Sequence, residues 1–173
     1  MLAADEASTL ANLAQQVVTL LADEGDPAST SSEDPLEAMV GLGGSPVEVP
    51  DDPALRRLLP DAYNDDDEAA GEFRRLMNAE LRQTKTGALN ELGEAASTGG
   101  GQTVTLRLDE EQAERWLQAL TDIRLVLGTR LDVSEDPADM WEGMEPDDPR
   151  GALLAIYDWL GWLQESVIRA LDG

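Results

Sequence analysis

The chain has 173 residues and 42% apolar content, enough for one globular domain with a sizeable core, but aromatics make up only 4%, so that core is mostly aliphatic. Thirty-six acidic residues against twelve basic ones give a net charge of -24, a field that opposes DNA or any other polyanion as partner. Histidine and cysteine are both absent, which removes the usual metal ligands, the usual general base, the thiol nucleophile and any disulfide framework.

The N-terminus, Met1-Leu2-Ala3-Ala4-Asp5-Glu6, carries acids where a signal peptide needs bases. No apolar run approaches the roughly 20 residues of a membrane span, so a cytoplasmic protein without membrane contact is expected. Residues 5–24 read as a first helix, with Leu10, Leu13, Val17, Leu20 and Leu21 on one face. Gly25-Asp26-Pro27 ends it, and residues 25–33 form a polar surface loop. Asp34-Pro35 starts a short helix, with Asp34 as N-cap and Pro35 at the first helical position, and Gly41, Gly43 and Gly44 stop it. Val47 and Val49 give a brief extended piece. Asp52-Pro53 repeats the start signal for a short helix over Ala54 to Leu59.

A long helix runs from about Asp66 to Ala96 on Phe73, Leu76, Met77, Leu81, Ala88, Leu89 and Leu92, with Gly71, Gly87 and Gly93 weakening it. Thr103 to Leu108 alternates as a half-buried strand, which needs a partner in the first four residues or in Val47 to Val49. Asp109 and Gln112 have capping-box spacing for a helix whose buried stripe is Trp116, Leu117, Leu120, Ile123 and Leu127. Residues 133–149 hold seven acids, three prolines and no base and read as a loop. The last helix, from about Asp148 to Leu171, is apolar on most of its circumference, so it is expected at the centre of a bundle. The fold class is therefore mainly α: one domain over 1–173, a bundle of about four principal helices with short ones and at most a small two-stranded β element.

Four segments resemble an uncharacterised actinobacterial family: Asp34-Pro35-Leu36-Glu37-Ala38-Met39-Val40-Gly41, Leu58-Leu59-Pro60-Asp61-Ala62-Tyr63, Leu127-Gly128-Thr129-Arg130-Leu131, and the run from Tyr157 through Trp159-Leu160-Gly161-Trp162 to Ser166. The family is the domain of unknown function numbered two thousand and seventeen. The resemblance implies a gene neighbourhood beside the adaptor of the Clp protease, with some members labelled transcriptional regulators. It implies no catalytic residues. The family usually opens with a strand before its first helix; here that strand is shortened to a few residues.

Several groups carry a choice between function and packing. Trp159 and Trp162, three apart on one face, are read as core, with their N–H groups bonded to nearby carbonyls, in preference to a ligand pocket. Glu165 and Arg169 have the order of a helix ion pair; if Glu165 is buried, Arg130 or Arg124 is its expected second partner. The acids at 65–68 and 145–148 lack the spacing of a calcium loop and are read as solvated helix caps. Six of the twelve bases fall within residues 56–85 (Arg56, Arg57, Arg74, Arg75, Arg82 and Lys85). A small phosphate or carboxylate site there competes with surface ion pairs, and ion pairs are preferred.

The sharpest functional candidate is the acidic segment around Met140, Trp141 and Met144, where Asp136, Asp139 and Glu142 would steer a basic groove while Trp and Met anchor in it. The competing role for Trp141 is to tuck the loop onto the bundle. No catalytic, cofactor-binding or metal-binding residue is assigned, and no cofactor. The expected function is a non-enzymatic acidic protein-interaction module or regulator with a protein partner and no nucleic acid, tied through the family's neighbourhood to Clp-type proteolysis. Homo-oligomerisation stays open. The alternatives are a carboxylate- or metal-dependent hydrolase and a transcriptional regulator.

Overall fold

The computed structural model describes residues 1–23, 52–59, 68–133, 144, 148 and 150–172, the side chains of 23 and 68–76 excepted. Among the described residues five helices follow in order: α1 (Ala4–Asp23), α2 (Pro53–Leu58), α3 (Glu68–Ser97), α4 (Glu110–Leu131) and α5 (Arg150–Leu171). The mainly α class is as expected. The loop over 25–33, the helix from Asp34, the Val47–Val49 piece and most of 133–149 lie outside the described residues.

Local chemistry sets the helix ends. At α1 the Ala3 N–H donates to the Glu6 carboxylate at 2.7 Å. At α2 the Asp52 carboxylate accepts from the Ala54 N–H at 2.8 Å, and Pro53 follows with no N–H to leave unpaired. The capping box at α4 is complete: Asp109 accepts from the Gln112 N–H at 2.8 Å and the Gln112 side chain accepts from the Asp109 N–H at 3.0 Å. The other end of α4 closes on Asp132, left-handed at φ 53°, whose N–H donates to the Gly128 and Thr129 carbonyls. Arg82 reaches across from α3 to cap the Leu21 carbonyl of α1 at 2.6 Å.

One apolar cluster draws residues from all five helices. Its hub is α4, which packs against α1, α2, α3 and α5. Ala113, Trp116, Ala119, Leu120, Ile123, Leu127 and Leu131 of α4 are all buried; small alanines between large residues let neighbours approach from several sides. The α1–α3 contact is close for the same reason. A Cβ at Gly93 would lie 3.6 Å from the Ala14 Cβ, so the two helices meet over small residues.

Two expectations are corrected. The last helix is not the centre of the bundle. Only Leu154, Leu160 and Leu163 of α5 are buried, and its main neighbour is α4. Its apolar circumference exceeds the single face that α4 can cover, so Leu153, Trp162, Ile168 and Leu171 remain exposed. The strand over 103–108 contracts to one antiparallel bridge, Leu2 with Val104, joined by two backbone hydrogen bonds of 2.9 Å. The partner is the expected N-terminal segment, and the pairing stops where α1 begins at Ala4. The turn before the bridge needs glycine: Gly100 and Gly101 have φ of 54° and 86°.

Candidate functional site

A partly polar groove of about 250 Å³ lies between α2, α4 and α5. Arg57 of α2, Thr121 and Arg124 of α4, and Tyr157 and Gln164 of α5 line it, with Leu125 and Val133 as apolar wall. The Arg124 guanidinium carbon sits 4.6 Å from the Tyr157 ring centroid, a cation–π arrangement. Arg124 donates to the Gln164 side-chain oxygen at 2.6 Å, and the Gln164 amide donates to Thr121 Oγ1 at 2.8 Å. Two glycines make room. A Cβ at Gly161 would lie 3.4 Å from the Arg124 guanidinium, and one at Gly128 would lie 3.2 Å from the Tyr157 ring. The two C-terminal segments that carried the family resemblance thus meet around one arginine. The sequence offered no local signal for this, because Arg124 and Gln164 are forty residues apart.

A second groove, of about 500 Å³, is bounded by Met1 and Leu2, by Leu106 and Leu108, and by Leu163 and Leu171 of α5. Trp116 forms part of its floor. The alternating strand residues are therefore half-buried against this groove and not against a neighbouring strand.

Ion pairs occupy most other described bases. Lys85, the single lysine, bonds Asp122 at 2.6 Å, and Asp122 is the only buried charged residue among those described. Burial pushes the Asp122 carboxyl above the ordinary aspartate value, and the Lys85 hydrogen bond opposes the rise. Arg115 pairs with Glu91 and Glu111, and Arg150 with Asp148. Among the described residues, no group of three acids is arranged to hold a metal ion.

The residues singled out from the sequence fall as follows. Met140, Trp141, Asp136, Asp139 and Glu142 lie outside the described residues; Met144 is half-buried and packs against the core. Trp159 is half-buried and packs against the core. Trp162 is 55% exposed, a correction: α4 covers the opposite side of α5 and nothing described covers this one. The expected Trp N–H bonds are also corrected. Among the described residues, Nε1 of Trp116 and of Trp159 is buried without an acceptor. Glu165 and Arg169 do pair, but Glu165 is exposed and needs no second partner. Arg130 pairs instead with Asp52, the N-cap of α2. Burial alone would raise the Asp52 carboxyl, but the Arg130 bond and the N–H groups of the cap bring it below its ordinary value.

The architecture is that of an acidic, mainly α chain whose charged side chains serve caps and ion pairs. Residues 1–171 match the family described as "Domain of unknown function (DUF2017)", and the chain belongs to that family. It is 35% identical over 185 residues to the "Oxidative stress regulator AosR" of Mycobacterium bovis and to that of Mycobacterium tuberculosis H37Rv, covering 99% of this chain and 81% of each relative. A Mycobacterium leprae relative is 32% identical over 184 residues, with the same coverage. No solved structure matches the chain. Among the described residues no helix is long and apolar enough to cross a membrane.

Proposed function

We propose that this chain is a non-enzymatic regulator that binds a basic protein segment on the outward side of α5. One observation carries the reading: Trp162, a large aromatic, is 55% exposed in the middle of an ordered helix. Asp158, Glu165 and Arg169 share its face at three- and four-residue steps, so an apolar anchor stands among acids. A second copy of this chain is a poor occupant, because two molecules of charge -24 repel. A segment with basic residues around an apolar anchor is drawn in by the field and held by the indole. The acidic segment that contains Asp136, Asp139, Met140, Trp141 and Glu142 precedes α5 in the sequence and is the second candidate for docking.

The relatives' printed name supports a regulatory role. These 173 residues contain no cysteine, so a thiol switch is not available within them. The reading is of a regulator that acts through its partner, with the Clp-type proteolytic machinery as the partner system implied by the family's gene neighbourhood and transcription as the alternative. The test uses the tagged chain and its Trp162→Ala and Trp141→Ala variants as parallel baits. A basic protein retained by the wild type and lost from Trp162→Ala is the expected result. Loss only from Trp141→Ala moves the docking surface to the acidic segment. An identical set of captured proteins from all three baits sinks the reading, and retention of DNA in place of protein favours the transcriptional alternative.

A further inference from the structure

We infer that the groove between α2, α4 and α5 is a binding site for a small oxyanion, the carboxylate or phosphate group of a small molecule, held between Arg57 and Arg124. The first ground is the distribution of charge. In a chain with three acids for every base, the described bases Lys85, Arg115, Arg130, Arg150 and Arg169 all have carboxylate partners. Among the described residues Arg57 and Arg124 have no carboxylate partner, and neither has Arg107, which is exposed and lies outside the groove. Arg57 makes one hydrogen bond, to Thr129 Oγ1 at 3.3 Å, and the partners of Arg124 are an amide oxygen and an aromatic face. These neutral groups orient a guanidinium without cancelling its charge. No acid is among the described residues that line the groove. Two arginines with no carboxylate partner among the described residues, lining one groove in a chain this acidic, form a local departure from the overall charge pattern.

The second ground is preorganisation. Arg124 is fixed on one side by the Tyr157 ring, on another by Gln164, itself tied to Thr121, and it passes over α5 where Gly161 leaves space. Its Nε–H is buried without an acceptor, so the group is under-satisfied in hydrogen bonds as well as in charge. A guanidinium held in this way binds an oxyanion without first losing side-chain freedom. The size fits a small ligand: about 250 Å³ lies below the usual range for drug-sized molecules. Leu125 and Val133 offer a short apolar wall for the rest of the molecule.

A purely structural role for Arg124, as glue between α4 and α5, leaves Arg57 unexplained, since Arg57 belongs to a different helix and lines the same groove. The site is also separate from the outward face of α5. Gln164 is two residues from Trp162 and therefore on the other side of the helix.

The experiment is a thermal-shift and calorimetric titration of the full chain with inorganic phosphate and, separately, with acetate, each against sodium chloride at matched ionic strength. Saturable binding of either probe beyond the chloride control is expected, and the probe that binds identifies phosphate or carboxylate as the source. Arg57→Gln should weaken it roughly tenfold, the scale of one charge-assisted hydrogen bond, with an unchanged melting temperature in the absence of probe, because Arg57 makes only one long bond. Arg107→Gln, an exposed arginine outside the groove, should leave binding intact. Stabilisation no greater than that by chloride overturns the assignment. So does equal weakening by the Arg57 and Arg107 substitutions, which would mean diffuse charge and no site.

Discussion

α4 and α5 are each 22 residues long, yet they occupy opposite places in the molecule. α5 is the more apolar and has three buried residues; α4 carries charges on many of its turns and has eight. The difference is one of neighbours. α4 alternates Ala113 and Ala119 with Trp116, Leu120 and Ile123, so four helices can approach it. α5 offers apolar side chains on every side but meets mainly one helix. Hydrophobicity is thus a statement about capacity for contact. What is buried depends on which helices reach it, and what remains exposed is available for a partner.

The largest expected effect tests this contrast at its two tryptophans. Trp116→Ala should lower stability by about 3–5 kcal/mol, as for other buried aromatics, while Trp162→Ala should change it by less than about 1 kcal/mol. Chemical denaturation of the two variants decides it, and equal losses would place α5 back at the centre. Next comes the buried pair beneath α4. Lys85→Met and Asp122→Leu should each cost about 3–5 kcal/mol by stranding a buried charge, and the double substitution should recover most of that loss. Additive losses in the double-mutant cycle would mean that the two residues act independently.

A smaller effect sets Asp122 of α4 against Asp52, the N-cap of α2, by pH. The Asp122 carboxyl is raised by burial against the pull of Lys85. Its contribution to stability is fully present below the ordinary value of 3.8 and is lost as pH rises through the higher folded value. Asp52 behaves oppositely. Its lowered carboxyl contributes above 3.8, and the contribution is lost as pH falls through the lower folded value. Asp122→Asn should therefore steepen the loss of stability on acidification, and Asp52→Asn should flatten it, in urea unfolding measured across the acid range. Both slopes moving the same way would refute the assignment.

The smallest effect concerns the whole surface. With a net charge of -24, moderate salt should raise stability by about 1 kcal/mol, or roughly 2–4 °C in melting temperature for a chain of this size. A fall would show that exposed pairs such as Glu165–Arg169 outweigh the repulsion.

What could be read from the sequence was local. The Asp109–Gln112 capping box, the Asp52-Pro53 start and the stripe of Trp116, Leu120, Ile123 and Leu127 all depend on residues within a few positions of one another, and all are present. What escaped depends on which helix lies beside which. Arg130, offered with Arg124 as a second partner for a buried Glu165, pairs with Asp52, seventy-eight residues away. Lys85 was read as part of a surface cluster and is buried on Asp122. The Arg124 groove needed three helices in register before Arg57, Tyr157 and Gln164 could face it. Periodicity identified which side chains α5 could bury but not that a single neighbour would be there to bury them.

The bridge between Leu2 and Val104 has a kinetic consequence. About a hundred residues separate the two strands of this one pair, so the entropy of closing that loop must be offset before its two hydrogen bonds form. Such a contact cannot nucleate folding; it joins a chain whose helices have already gathered. It should be among the last native contacts to form and among the first to release, and the Leu2 and Val104 amides should exchange with solvent through local opening well before those at the centre of α4.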